Sequence, residues 1–190
     1  SGSKATVIEN YVNLGTQKSF VNTVAEFLID ERAEINHYRI MIESPEGFHI
    51  GTTRVRMNRD SVFNSLSFAH GSQIGRNDLH VMMDERGAQC DLNGLYMTNG
   101  KSHLDNHINV THDARDTTSR QFFKGILTDK SRAVFSGIVL VKPDAQKTFA
   151  TQKDMNLLLS RGAEVDTKPS LLIYADDVQC QHGATAGEMD

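Results

Sequence analysis

Apolar residues in this chain come in short blocks, and that spacing limits what it can fold into more than any other feature. Phe27-Leu28-Ile29, Tyr38 to Ile42, Val81-Met82-Met83, Ile138 to Val141, Leu157 to Leu159 and Leu171 to Tyr174 are strand-sized and bounded by Gly, Asp, Asn or Ser. No segment sustains the 3.6-residue apolar spacing of an amphipathic helix. Such blocks predict β-strands. Pro45, Pro143 and Pro169 fall between blocks and read as turn residues. The predicted class is all-β.

A weak internal repeat refines this. An apolar block leads into a polar turn, then a small residue, then another strand-like segment. Leu28-Ile29-Asp30-Glu31-Arg32-Ala33 opens one copy and Met82-Met83-Asp84-Glu85-Arg86-Gly87-Ala88 another. Leu127-Thr128-Asp129-Lys130-Ser131-Arg132-Ala133 and Leu158-Leu159-Ser160-Arg161-Gly162-Ala163 follow the same plan at irregular spacing. Strand–turn–strand units that cannot each close a core are what a solenoid stacks. A β-sandwich also has many short strands with turn signals, so the pattern alone leaves both open.

The 190 residues, 38% of them hydrophobic, suffice for one continuous core, and no linker or low-complexity stretch divides them. Ser1-Gly2-Ser3 reads as a cloning remnant, leaving a single domain over residues 4–190. A net charge of −4 with scattered lysines and arginines offers no basic stripe for nucleic acid. No apolar run approaches the roughly 20 residues that cross a bilayer. The N-terminus carries no charged-then-apolar leader pattern. The two cysteines, Cys90 and Cys180, are far apart in a chain that needs no staples, which suits a reducing compartment such as the cytoplasm. Cys90, without chemical neighbours, reads as a small buried hydrophobe.

Chemistry concentrates near the C-terminus, in Tyr174-Ala175-Asp176-Asp177-Val178-Gln179-Cys180-Gln181-His182-Gly183-Ala184-Thr185. On an extended strand Cys180 and His182 project from the same face. Thiolate and imidazole are competent ligands for iron or zinc, but two ligands do not complete a tetrahedral site. The pair could also be a nucleophile with its base, which needs a third orienting residue and an oxyanion donor that the sequence does not identify, and on spacing alone a purely structural role outweighs metal binding. His103, His107 and His112 form a second group with Asp105 and Asp113 nearby. Leu104 stands where a zinc protease helix needs glutamate, so these histidines read as strand or turn residues bonding backbone groups. Asp176-Asp177, adjacent and therefore on opposite faces of a strand, reads as a turn or edge feature. No glycine pattern of the Walker or dinucleotide type occurs, so no nucleotide site is expected.

An ordered series of segments resembles the SufB/SufD family. It runs through Lys124-Gly125-Ile126-Leu127, Ser131-Arg132-Ala133-Val134-Phe135-Ser136-Gly137, Ala145-Gln146-Lys147-Thr148, Leu157-Leu158-Leu159-Ser160 and Ala163-Glu164-Val165-Asp166-Thr167-Lys168-Pro169. It ends with Ala175-Asp176-Asp177-Val178 and Cys180-Gln181-His182-Gly183-Ala184-Thr185. The match is dense from about His103 to Gly187 and sparser upstream, at Arg76-Asn77-Asp78-Leu79 and Leu92-Asn93-Gly94-Leu95-Tyr96.

The resemblance implies a right-handed parallel β-helix, a SufB-like paralogue and a SufC-like ATPase as partners, and cluster assembly at or near the interface of the two β-helix subunits. SufB-like members carry cysteine in a Thr-Gln-Cys-Asp context. Lys153 in Thr151-Gln152-Lys153-Asp154 departs from it, and the Cys-x-His-Gly-Ala-Thr ending resembles the SufD form. The resemblance thus implies a non-catalytic scaffold whose His182 and Cys180 face the partner and handle iron or a nascent iron–sulfur cluster, with no intrinsic cofactor. The helical regions that flank the core in the family have no counterpart here, so no binding of the ATPase by this chain alone is expected.

A homodimer through exposed strand edges is a further reading. The rival from another class is a β-helix carbohydrate-active enzyme using Asp105, Asp113 and Arg115 for acid–base work. The absence of Trp and the presence of only four Tyr weigh against it.

Overall fold

A computed structural model describes residues 2–188 except 14 and 16. The described residues form no helix; they fold as a parallel β-solenoid. In chain order the strands are β1 (Lys4–Val12), β2 (Ser19–Ile29), β3 (Glu34–Ile42), β4 (Gly47–Met57), β5 (Val62–His70), β6 (Ile74–Met83) and β7 (Gln89–Thr98). Then come β8 (His103–His112), β9 (Thr118–Leu127), β10 (Arg132–Val141), β11 (Thr148–Leu158), β12 (Glu164–Ile173) and β13 (Val178–Glu188). Odd-numbered strands pair in order into a seven-stranded sheet, and even-numbered strands into a six-stranded sheet. Each coil contributes one strand to each sheet, and every pairing is parallel. The sandwich alternative is thereby excluded, because consecutive strands lie in opposite sheets and each pairs two positions along the chain.

Side chains alternate between the interior and the outer surface, so in-register stacking turns each inward position into a column through successive coils. One column runs Phe27, Val55, Val81, Val110, Val139 and Leu171. Its neighbour runs Ile29, Met57, Met83, His112, Val141 and Ile173. β-Branched and long apolar residues fill such columns well. Each fully buried member contributes about 1.5–3 kcal/mol.

The repeated turn motif is the corner of the coil. Arg32, Asp60, Gly87, Asp116 and Lys147 hold positive φ of 57°, 54°, 76°, 59° and 60° at equivalent corners of successive coils. After the last four of these the small residue (Ser61, Ala88, Thr117, Thr148) is buried, and a hydroxyl there closes the turn: Ser61 Oγ donates to the Asn58 carbonyl (2.7 Å) and Thr148 Oγ1 to that of Ala145 (2.8 Å). The opposite corner does the same through Ser102 to Asn99 (2.9 Å) and Ser131 to Thr128 (2.7 Å).

Pro45 and Pro143 sit in corners as expected, but Pro169 lies within β12. That strand is the last of the six-stranded sheet and pairs only with β10, so a missing N–H is tolerated there.

Candidate functional site

β12 and β13 are the last strands of their sheets among the described residues; each has one bonded neighbour there, and most of β13 is exposed. Cys180 pairs with Ala150 and His182 with Gln152, both of which are completely buried. Both candidate ligands therefore stand on the inward-facing side of β13. The expectation that they share a strand face matches this placement.

Their surroundings differ. Cys180 is half-buried and packs with Leu171 and Val178 against Val139, Val141, Ala145, Ala150 and Ala175. Burial raises its thiol pKa, partly offset by a hydrogen bond from the Ala150 backbone. His182 is exposed. Among the described residues no three His, Cys, Asp or Glu side chains converge in a metal-holding group. Cys180 and His182 are thus two side chains sharing one face, without a third candidate ligand beside them among the described residues.

Cys180 lies over Ala150, whereas His182, Ala184 and Ala186 lie over a polar row of β11, Gln152, Asp154 and Asn156. Gln152 Nε2 donates to Gln121 Oε1 (3.0 Å). Tyr96 Oη donates to Asn156 Oδ1 (2.6 Å) and lies 3.1 Å from Asp154 Oδ1, while Asn156 Nδ2 donates to Asp154 Oδ2 (2.7 Å). Burial pushes the Asp154 carboxyl and the Tyr96 hydroxyl pKa upward, the first partly offset by hydrogen bonds from Asn156 and Tyr96. Two glycines make room: a Cβ on Gly137 would overlap the Gln152 amide, and one on Gly125 would overlap Asn156 and the Tyr96 ring. Gln152 Oε1, Gln121 Nε2 and Thr167 Oγ1 are buried without hydrogen-bond partners.

The remaining candidates are dispersed. His103 and His107 lie on the outer side of β8, where His107 Nε2 contacts Asp105 Oδ1 (2.8 Å). His112 points inward and is fully buried, with Nδ1 2.8 Å from Thr117 Oγ1 and Nε2 2.9 Å from Ser119 Oγ. The histidine group thus occupies a strand, but its partners at 107 and 112 are side chains rather than backbone. Asp105 also pairs with Arg76 (2.9 Å), Asp113 with Lys142 (2.7 Å) and Arg115 with Asp116 (2.9 Å). Asp176 and Asp177 lie in the corner between β12 and β13. Lys153 is exposed on the outer face of β11. Cys90 is 1% exposed in the core, and burial raises its thiol pKa.

Sequence reasoning missed the buried polar residues. Gln152, Asp154 and Asn156 alternate at a two-residue spacing, and that was the available signal for a polar inward row. A second such cluster lies at the first coils, where His37 Nε2 meets Glu9 Oε2 (2.6 Å). There Arg39 donates to His49 Nε2 (2.8 Å), and His49 Nδ1 donates to Glu43 Oε1 (2.6 Å).

A family model described as SUF system FeS cluster assembly, SufBD core domain, matches residues 1–190. The iron–sulfur cluster assembly protein SufD of Escherichia coli is 34% identical over 189 residues, covering 100% of this chain and 45% of that protein. A SufBD-family iron–sulfur cluster assembly protein of Synechocystis is 31% identical, covering 100% of this chain and 44% of its own. The chloroplastic protein ABCI7 of Arabidopsis thaliana is 32% identical, covering 100% of this chain and 40% of its own. The chain therefore spans less than half the length of these relatives.

Proposed function

Because the chain belongs to the SufBD family of SUF-system iron–sulfur cluster assembly proteins, we propose that it acts as a non-catalytic, cytoplasmic scaffold whose last coil contributes Cys180 and His182 to an iron or nascent-cluster site shared with a second subunit. The observation that carries this reading is the placement of both side chains on one face of β13, with His182 exposed. A buried pair would be inaccessible to cargo, and a complete four-ligand set would not need a partner. A two-ligand set leaves coordination positions for a facing subunit.

The partner that fits is a second parallel solenoid, a SufB-like paralogue, which brings its own ligands and meets the free edges of β12 and β13. Those edges expose unpaired backbone groups, a standing invitation to strand pairing. Pro169 removes one donor from the β12 edge. A SufC-like ATPase would engage parts of the full-length protein outside the solenoid. A homodimer through the same edges is the competing assembly.

The carbohydrate-enzyme alternative gains no support, since Asp105, Asp113 and Arg115 are each held in ion pairs rather than set as a carboxylate couple. Anaerobic co-purification of the chain with the paralogue, followed by iron and sulfide analysis, tests the proposal. Wild type is expected to yield iron that His182→Ala loses; equal iron in both removes His182 from the site.

A further inference from the structure

The buried column beneath His182 has a direction. In register through the odd-numbered strands stand Leu92, Gln121, Gln152 and His182. Gln152 donates downward, its Nε2 to Gln121 Oε1 at 3.0 Å. Its amide is pinned against Gly137 of the opposite sheet, where any side chain would collide with it. Gln152 is 0% exposed, yet its Oε1 has no partner. A buried amide acceptor left empty costs about 1–3 kcal/mol. Side chains on the same face of adjacent parallel strands stack about 4.8 Å apart, so the rung that can fill this acceptor from above is position 182.

We propose that Gln152 is the positioning residue for His182. The proposed bond, which a rotation of the His182 side chain would close, has the unpartnered Oε1 accept the imidazole N–H; it fixes one tautomer and leaves the lone pair of the other ring nitrogen for a ligand. A ligating imidazole is ordinarily held this way, because the hydrogen bond at one nitrogen sets the metal-binding state of the other. Gln121 supports the arrangement by accepting from Gln152 Nε2, which leaves Oε1 as the amide atom without a partner. The inference deepens the proposed site and rests on His182 being a ligand, whereas the hydrogen bond itself is testable without cargo.

The experiment is nitrogen-edited NMR of the imidazole protons in the metal-free chain. A His182 ring N–H protected from solvent exchange is expected in wild type, absent in Gln152→Leu and restored in Gln152→Glu, which keeps an acceptor. A wild-type spectrum lacking that proton overturns the proposal by itself, whether or not the leucine variant folds; so does its persistence in Gln152→Leu. Anaerobic titration with Fe²⁺ alone supplies the second readout, with affinity expected to fall about tenfold or more in Gln152→Leu. If the protected proton is present but wild type and His182→Ala bind Fe²⁺ equally, the ligand role fails and the positioning bond stands.

Discussion

Acidification should unfold this solenoid partly through a single residue, His112. Its ring is fully buried in an otherwise apolar column between Met83 and Val141. Thr117 donates its hydroxyl proton to the Ala114 carbonyl (3.1 Å), so it accepts from His112 Nδ1–H, and Nε2 then accepts from Ser119. Burial holds the imidazole neutral and pushes its pKa from 6.5 down to about 4. The folded state therefore binds this proton less readily than the unfolded chain. The stabilising contribution is intact above about pH 6.5 and is lost as pH falls toward 4. The loss from this group is about 1 kcal/mol at pH 5.5 and about 3 kcal/mol near and below pH 4. Gln at 112 offers one donor and one acceptor without titrating. Denaturant unfolding of wild type and His112→Gln across about pH 7.5 to 4.5 should give curves that converge on acidification, wild type losing the larger amount. Parallel pH profiles would show that His112 does not carry the effect and that the dry-column reasoning is wrong.

Three further outcomes are expected. Gly137→Ala should destabilise the chain by about 1–3 kcal/mol because its Cβ meets the Gln152 amide; in a Gln152→Ala background the cost should shrink, and an unchanged cost would refute the contact. Tyr96→Phe should cost about 1–3 kcal/mol in denaturant unfolding, since Asn156 Oδ1 loses its 2.6 Å donor. A disulfide reagent near neutral pH should label Cys180 slowly in the native protein and Cys90 only after unfolding, given half-burial of the first and 1% exposure of the second.

The fold was legible where a strand's inward row is apolar. The blocks at Phe27, Val81, Ile138 and Leu171 all fall in strands whose inward side chains join the hydrophobic columns. β1, β4, β5, β7, β8, β9 and β13 carried no such block; in β4, β8 and β13 the inward positions include Gly51, Thr53, Asn106, His112 and His182. A shared interior lets one coil place polar groups inside when the next coil satisfies them, as Gln121 does for Gln152. The repeat looked irregular for two reasons. The copies at Arg32 and Gly87 occupy one corner, those at Lys130 and Arg161 the other. Register offsets also vary, from 26 residues between Phe48 and Ile74 to 32 between Arg132 and Glu164. Pro169 misled because an edge strand accepts what a central strand refuses.

The site was half legible for the same reason. Cys180 and His182 are two residues apart on one strand, so a period of two places them together before any tertiary structure is known. What lies beneath them depends on register with β11 and on a crossing from Gly137 in the other sheet, neither of which local spacing records. The consequence is chemical. A thiol and an imidazole on a bare strand would sample many orientations, and a two-ligand half-site with mobile ligands binds weakly. A floor built from Gln121, Gln152, Asp154, Asn156 and Tyr96 is rigid because its members bond one another and two glycines admit them to close contact. On the proposed reading, rigidity beneath His182 reduces the ordering cost of ligand capture there. An apolar side chain of equal volume would serve packing as well, so on that reading Gln152 is placed to hold His182 above it.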